Sequence, residues 1–183
     1  MLPLANAHRW PVADVGGRRA VVTQEFSAAH RGVDMMFPRR ARDPTGAGTT
    51  RDYVVPPGAS AVAALGGSVR YAMRAANGWR VRLGHEGVDT LYLHLAAVAV
   101  EEGQRVEAGD VLGPVGADPT DPEGLPHLHF EVRIPATTSG DAVGMTPIDP
   151  EPWLAGAARV GAGAGAVVLL LLVVALVAVR HIG

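Results

Sequence analysis

Short apolar–polar alternations, broken by glycine, limit the fold of this chain more than any other feature. They follow one another from Ser60 to Gly116, with Asn77-Gly78 between two of them. A period of two is the pattern of a β-strand, and Asn-Gly is typical of a tight hairpin turn. No helix-period stretch of useful length occurs before residue 155. The sequence therefore predicts an all-β domain, built as an antiparallel β-sheet or β-sandwich.

Composition excludes several classes of function. The chain has 183 residues and a formal net charge of −2, so we expect one domain with its own core and no nucleic-acid partner. It contains no cysteine, which excludes disulfides and thiolate zinc sites. Residues 102–113 have the hairpin pattern of a biotinyl or lipoyl carrier, but the chain contains no lysine to be modified. A carrier function is therefore excluded.

Residues 160–179 are apolar throughout and lie between Arg159 and Arg180. About 20 residues at roughly 1.5 Å each span a hydrocarbon core of about 30 Å. A buried core helix is the alternative, but a β domain of this size cannot cover a helix that is apolar on every side. The sequence therefore predicts one C-terminal transmembrane α-helix. The spacing of Gly161 and Gly165 permits close helix pairing, and so a homodimer through this helix.

These features divide the chain into five parts. We expect an N-terminal segment at 1–20, the β domain at 21–154, a short linker at 155–159, the membrane helix at 160–179 and a tail at 180–183. The first 20 residues show no pattern of a cleavable export signal.

Two histidines occupy one face of a predicted strand over residues 126–132. His127, His129 and Glu131 alternate with apolar residues, and side chains two positions apart lie roughly 6.5–7 Å from each other. Two imidazoles at that separation can share a small site, in which one binds a metal ion and the other reaches a water molecule. A half-exposed strand that carries two histidines by chance is the alternative.

A second pair of metal-binding residue types, His30 and Asp34, is separated by Gly32 and Val33, which disfavour a helix. In a straight strand the pair would lie about 13 Å apart, too far to bind one ion. Both could bind it only if the chain bends, which Gly32 permits. A polar surface strand is the alternative. The long loop that follows, residues 38–57, contains several arginines and is either a binding loop or a solvated connection.

Three short motifs, at residues 30–34, 92–95 and 126–131, occur together in this order. Together they resemble the motifs of the lysostaphin/LytM-type zinc metallopeptidases, which cut peptide bonds in bacterial peptidoglycan. The resemblance extends over about residues 21–154, and the loop at 38–57 departs from it. It implies that His30, Asp34 and His129 bind one Zn²⁺ and that His94 and His127 form a catalytic pair. His85 receives no role.

The chemistry of these residue types agrees with the resemblance. Two neutral imidazoles and a carboxylate form a tetrahedral zinc site with one open position. His127 is the better candidate for the general base, because it lies two residues from His129 on the same face. His94 would orient the water or stabilise the oxyanion. We therefore expect a membrane-anchored zinc metalloendopeptidase that hydrolyses stem peptides or cross-bridges of peptidoglycan.

Two other functions match parts of the sequence pattern. A cupin also uses a His-x-His pair, but its glutamate falls several residues later, whereas Glu131 follows His129 by two. A non-catalytic, membrane-tethered scaffold or regulator of the same fold is the stronger rival, against which the intact candidate ligands argue. The expected substrate would place the domain on the cell-wall side of the membrane. Arg159 and Arg180 flank the apolar segment and barely discriminate between the two orientations.

Overall fold

A computed structural model describes residues 8–39, 52–121, 124–135 and 145–160. Strands dominate this part of the chain, and every strand pair is antiparallel, which confirms the predicted all-β class. The elements are β1 (Val21–Gln24), β2 (Val33–Pro38), β3 (Tyr53–Val54), β4 (Ser60–Val62), β5 (Gly67–Ala75), β6 (Gly78–Gly84), β7 (Asp89–Leu95), β8 (Arg105–Val106), β9 (Val111–Pro114), β10 (Leu128–Pro135), β11 (Met145–Ile148) and α1 (Pro150–Val160).

The strands form one large sheet and one small one. The large sheet has the order β1-β2-β10-β7-β6-β5-β8, with β11 also paired to β10 and β3 to β2. The small sheet pairs β4 with β9. Strand β10, which contains His129 and begins directly after His127, lies in the middle of the large sheet between β2 and β7. The backbone of β10 is therefore held from both sides.

The large sheet divides its residues between two faces. One face carries the apolar core, in which Val81, Tyr92 and Phe130 are fully buried. The register places a second set of residues on the opposite face, since Asp34 pairs with His129, Glu131 with Leu91, and Leu91 with Arg82. We call this opposite face the site face; its reference residues are Asp34, His129, Glu131, Leu91 and Arg82.

Helix α1 occupies the end of the predicted β domain and the predicted linker at 155–159. The Asp149 side chain accepts a hydrogen bond of 3.0 Å from the Glu151 N–H, and Pro150 takes the first helical position, so both act as helix-start signals. Trp153 and Leu154 are buried in the core. The helix forms because its first turn is capped and its apolar residues pack against the core.

The segment before β1 also contributes to the core, although its sequence pattern is weak. Val12 forms an antiparallel bridge with Ala61, and the Arg9 N–H donates a 2.6 Å hydrogen bond to the Ala64 carbonyl. Val12 and Ala20 are both buried. Residues 8–20 therefore extend the packed domain beyond its predicted start at residue 21.

The predicted transmembrane helix lies outside the described residues, except for Val160 at the end of α1, and so do Gly161 and Gly165. Most of the arginine-containing loop at 38–57 lies outside them as well. Within the part of the chain that the structure describes, no helix is long and apolar enough to cross a membrane.

Substitution of Phe130 tests the assignment of the core face. Its side chain is fully buried and lies against Tyr92 and Trp153, with ring centroids 5.2 and 6.2 Å away. We expect Phe130→Ala to lower the free energy of unfolding by about 3–5 kcal/mol, since it leaves a cavity. Met73→Ala is the control, because Met73 is 47 % exposed and its loss should cost less than about 0.5 kcal/mol. Denaturant titration of the full chain in detergent measures both, and equal losses would contradict the assignment.

Candidate metal centre

Three side chains from two adjacent strands and the turn before them converge on the site face. Asp34 in β2 and His129 in β10 are direct cross-strand partners. The Asp34 Oδ1 atom lies 2.8 Å from His129 Nδ1 and 3.0 Å from His30 Nε2, and the two histidine nitrogens lie 3.1 Å apart. The structure thus brings together His30, Asp34 and His129, as the bend inferred between His30 and Asp34 requires.

Gly32 makes this convergence sterically feasible. It is not among the residues with a positive φ, so its role is not to form a left-handed turn. A Cβ atom at this position would instead collide with the Phe130 carbonyl and lie 2.8 Å from the Nε2 atom of His129. Because Gly32 lacks a side chain, the backbone leading into β2 can approach β10 closely enough for Asp34 to reach His129.

The three ligand atoms suit a zinc ion by type and by spacing. Zinc binds imidazole nitrogen and carboxylate oxygen at about 2.0–2.2 Å, which in a tetrahedron separates the ligand atoms by about 3.3 Å. The observed separations of 2.8–3.1 Å need only a slight expansion to reach that value. Two nitrogens and one oxygen leave one of four positions open, the arrangement of catalytic rather than structural zinc sites.

The outer nitrogen of each candidate histidine ligand is already fixed by a hydrogen bond. His30 Nδ1–H donates to the Glu25 carbonyl over 2.9 Å, and His129 Nε2–H donates to Glu131 Oε1 over 3.3 Å. These nitrogens must carry the proton, because carbonyl and carboxylate oxygens can only accept. The inner nitrogens, His30 Nε2 and His129 Nδ1, are the ones that face Asp34 and can serve a metal ion.

Glu131 is the residue of this site to which the sequence assigned no role. It is only 4 % exposed, and its second oxygen, Oε2, accepts a hydrogen bond of 2.6 Å from Arg133 Nε and forms an ion pair of 2.6 Å with Arg133 Nη2. The sequence did place Glu131 on the face of His129, so strand alternation was the available signal. A chain of three side chains, Arg133, Glu131 and His129, thus holds the His129 ring in position.

The charges in this cluster compensate one another. Burial alone would raise the pKa of Asp34, but the hydrogen bond from His129 and the neighbouring imidazoles hold it below its usual value. Burial alone would lower the pKa of His129, but its hydrogen bonds to Asp34 and Glu131 raise it to about 9. A metal ion would take the place of the proton on His129 Nδ1, so the cluster is a cation site in either state.

A β-bulge turns His94 toward this cluster. In the register of β6 with β7, Val81 pairs with Tyr92 and Trp79 pairs with Leu95. One residue lies between Trp79 and Val81, whereas two residues, Leu93 and His94, lie between their partners in β7. His94 has a φ of 62°, which is uncommon outside glycine. In a regular strand His94 would share the core face with Tyr92. The extra residue re-aims its ring instead.

His94 and His127 lie side by side next to the cluster. Their ring centroids are 4.8 Å apart, and the centroid of His94 is 5.8 Å from that of His129. His127 Nδ1–H donates to the Leu125 carbonyl over 2.8 Å, and His94 Nδ1–H donates to the Asn77 carbonyl over 2.9 Å. In the neutral form of either ring, Nε2 is therefore the hydrogen-bond acceptor.

Electrostatics and distance distinguish the two members of this pair. The Nε2 atom of His127 lies 3.7 Å from Asp34 Oδ1, so this nitrogen borders the cluster. Burial lowers the pKa of His94, whose Nδ1 also lies 3.7 Å from the Asp118 carboxylate. Burial therefore favours the neutral form of His94. His85, which received no role, bonds elsewhere, to the Gly66 carbonyl and to Thr90.

Comparison with known proteins identifies a family. The sequence model described as "Peptidase family M23" matches residues 48–150, which include His94, His127 and His129. His30 and Asp34 lie before the matched residues, and the structure places both of them within 3.1 Å of His129 Nδ1, which lies in the match.

Curated proteins that are similar to part of this chain include one named as a peptidase and one named for sporulation. The DD-carboxypeptidase/endopeptidase Mpg of Neisseria meningitidis is 40 % identical over 85 residues, covering 45 % of this chain and 19 % of that protein. Stage II sporulation protein Q of Bacillus subtilis is 33 % identical over 73 residues, covering 39 % of this chain and 24 % of that protein. The matched segment of the chain thus spans about a quarter or less of either relative.

Among solved structures, the antimicrobial peptidase lysostaphin from Staphylococcus simulans superposes with a TM-score of 0.52 at 22 % identity, over 82 % of this chain and 54 % of that one. This likeness shows that the fold is shared.

Removal of the Glu131 carboxylate tests its function in the site. We expect Glu131→Ala to weaken zinc binding by about 10–100-fold, because His129 loses the acceptor that fixes its ring. Glu131→Gln keeps an oxygen acceptor and should weaken binding less. Competition with a chromophoric chelator measures both affinities. Zinc affinity in Glu131→Ala equal to that of the parent would show that Glu131 does not position His129.

Proposed function

The chain belongs to peptidase family M23, and we propose that it is a zinc metalloendopeptidase that hydrolyses peptide bonds in peptidoglycan stem peptides or cross-bridges. The observation that carries this proposal is the convergence of three ligand atoms beside a second pair of imidazoles on one sheet face. The peptidase name of the relative Mpg is consistent with it.

In this proposal His30, Asp34 and His129 hold one zinc ion. When bound, the ion supplies Lewis acidity, which makes hydroxide available near neutral pH. The ligand residues themselves need little rearrangement, because their atoms already lie 2.8–3.1 Å apart. The Glu25 backbone carbonyl and the Glu131 carboxylate accept hydrogen bonds from the outer nitrogens, so the inner nitrogens remain directed at the ion.

His127 is the proposed general base. Its Nδ1–H is held by the Leu125 carbonyl, which leaves the Nε2 lone pair at the edge of the cluster. There Nε2 takes a proton from the attacking water as its oxygen bonds to the peptide carbonyl carbon. The same nitrogen then returns the proton to the leaving amine nitrogen as the C–N bond breaks.

His94 is the proposed water-positioning residue. Burial favours the neutral form of its ring, and the Asn77 carbonyl accepts the Nδ1–H, so Nε2 of the neutral ring accepts a hydrogen bond rather than donating one. This protonation state favours orienting the water over stabilising the oxyanion. The strained backbone at His94 is the cost of placing the ring beside His127.

The membrane anchor and the location of the domain are also proposals. Residues 160–179 supply an apolar stretch of membrane-spanning length, and α1 leads into it through Val160. We propose that this stretch anchors the domain on the cell-wall side, where peptidoglycan lies. Pairing of two chains would use Gly161 and Gly165.

A non-catalytic scaffold or regulator of cell-wall hydrolysis is the second candidate. The match to stage II sporulation protein Q, whose name refers to sporulation and not to a peptidase, favours it. The three-residue cluster and the adjacent pair of His94 and His127 together favour the enzyme. A folded, zinc-loaded chain that cuts no peptidoglycan would decide for the scaffold.

Two substitutions separate metal binding from proton transfer. We expect Asp34→Ala to lose zinc, since it removes the atom shared by both histidine ligands. His127→Ala should keep zinc and lose about 10²–10⁴-fold in turnover, the usual contribution of a general base. Zinc content by atomic emission and new amino groups released from purified peptidoglycan measure the two effects. If His127→Ala were metal-free, the division of roles would be wrong.

A further inference from the structure

A cavity of about 450 Å³ opens on the site face, away from the metal cluster. Arg70, Arg82, Asp89 and Met145 contribute to its lining. Its location follows from the register of the sheet, because Asp89 pairs with Arg133, which lies two residues beyond Glu131 on the site face of β10. The cavity and the cluster are therefore two ends of one surface.

The distance between the two ends can be read along β7. Leu93 pairs with His129 at the cluster, and Asp89 lies four residues earlier on the same strand. Four strand residues span about 13 Å. An extended peptide whose scissile bond lies at the cluster would reach the cavity with a residue three or four positions away.

A second β-bulge places Arg70 in this cavity. Val69 and Tyr71 pair with adjacent residues of β6, so Arg70 is the additional residue of β5 between them. Its guanidinium lies directly over Gly84, where any Cβ atom would collide with Arg70 Nε and Cζ. The missing side chain at Gly84 thus provides the space in which the guanidinium lies against the sheet.

Arg70 differs from Arg82 and Arg133, because no described residue forms a hydrogen bond or an ion pair with its side chain. Arg82 Nε donates to Asp89 Oδ2 over 2.6 Å, and Arg133 is paired with Glu131. Within the described ranges, Arg70 makes no hydrogen bond and no ion pair, and its side chain is exposed. Among the described residues that line the cavity, Asp89 is paired with Arg82, and the positive charge of Arg70 has no acidic partner.

We propose that this cavity is a substrate subsite in which Arg70 binds a carboxylate group of the peptide. The inference rests on the proposed function, since it assumes that a peptide lies along the site face. A guanidinium matches the planar carboxylate with two parallel N–H···O bonds. Arg82 Nε donates a hydrogen bond to Asp89, which holds the Arg82 guanidinium at the wall of the subsite.

The test is a binding measurement that does not depend on turnover. The probes are soluble stem peptides released from purified peptidoglycan, with their carboxyl groups either left free or converted to carboxamides. Calorimetry of the full chain in detergent, in a His127→Ala background, compares the two affinities. We expect the free acids to bind about five- to tenfold more tightly, the effect of one charge-assisted contact.

Three variants test whether Arg70 causes the tighter binding of the free acids. Arg70→Gln removes the charge, and Gly84→Ala displaces the guanidinium while keeping it, so both should bind acids and amides equally. Arg74→Gln is the control; Arg74 is exposed on the same strand, pairs with Trp79 in the register, and should leave the preference intact.

An unchanged preference in Arg70→Gln, or no preference in the parent, would overturn the subsite. Failure of the proposed function has a different signature. In that case the chain with His127 intact would cut no peptidoglycan, while the acid preference and its dependence on Arg70 would remain.

Discussion

The contact between Asp34 and His129 is the interaction on which the rest of the site depends. The two residues face each other across β2 and β10 in the middle of the sheet, with an Oδ1–Nδ1 distance of 2.8 Å. A buried carboxylate without a partner would be unfavourable, but here imidazoles on two sides compensate its charge. The pair thereby links two central strands and forms part of the candidate metal centre at the same point.

Departures from regular strand geometry convert an ordinary sheet face into a site. Gly32 permits the close approach of β2 to β10, a bulge in β7 turns His94 from the core face to the site face, and a bulge in β5 directs Arg70 into a cavity. Each departure positions one chemical group, and the core face beneath remains closely packed. Bulges next to functional sites are a recurrent feature of β proteins.

Much of this could be predicted from the sequence. Strand alternation gave the all-β class and placed His127, His129 and Glu131 on one face, while the resemblance of three motifs joined His30, Asp34 and His94 to them. Local patterns cannot show which strands pair or where the register slips, because those depend on distant partners. The re-aimed His94, the role of Glu131 and the position of Arg70 all follow from such pairings. Sequence patterns do not predict helix α1, because its capped start and the burial of Trp153 are what distinguish it from a linker, and the burial depends on tertiary packing.

The most direct test of the central claim is metal-dependent hydrolysis by the full chain. Protein stripped of metal by a chelator, and then titrated with zinc, would be assayed for new amino groups released from purified peptidoglycan. The account predicts that hydrolysis appears with zinc and saturates at one ion per chain, as a single cluster of His30, Asp34 and His129 requires. Full hydrolysis by the stripped protein, or none by folded protein that holds one zinc ion, would contradict it.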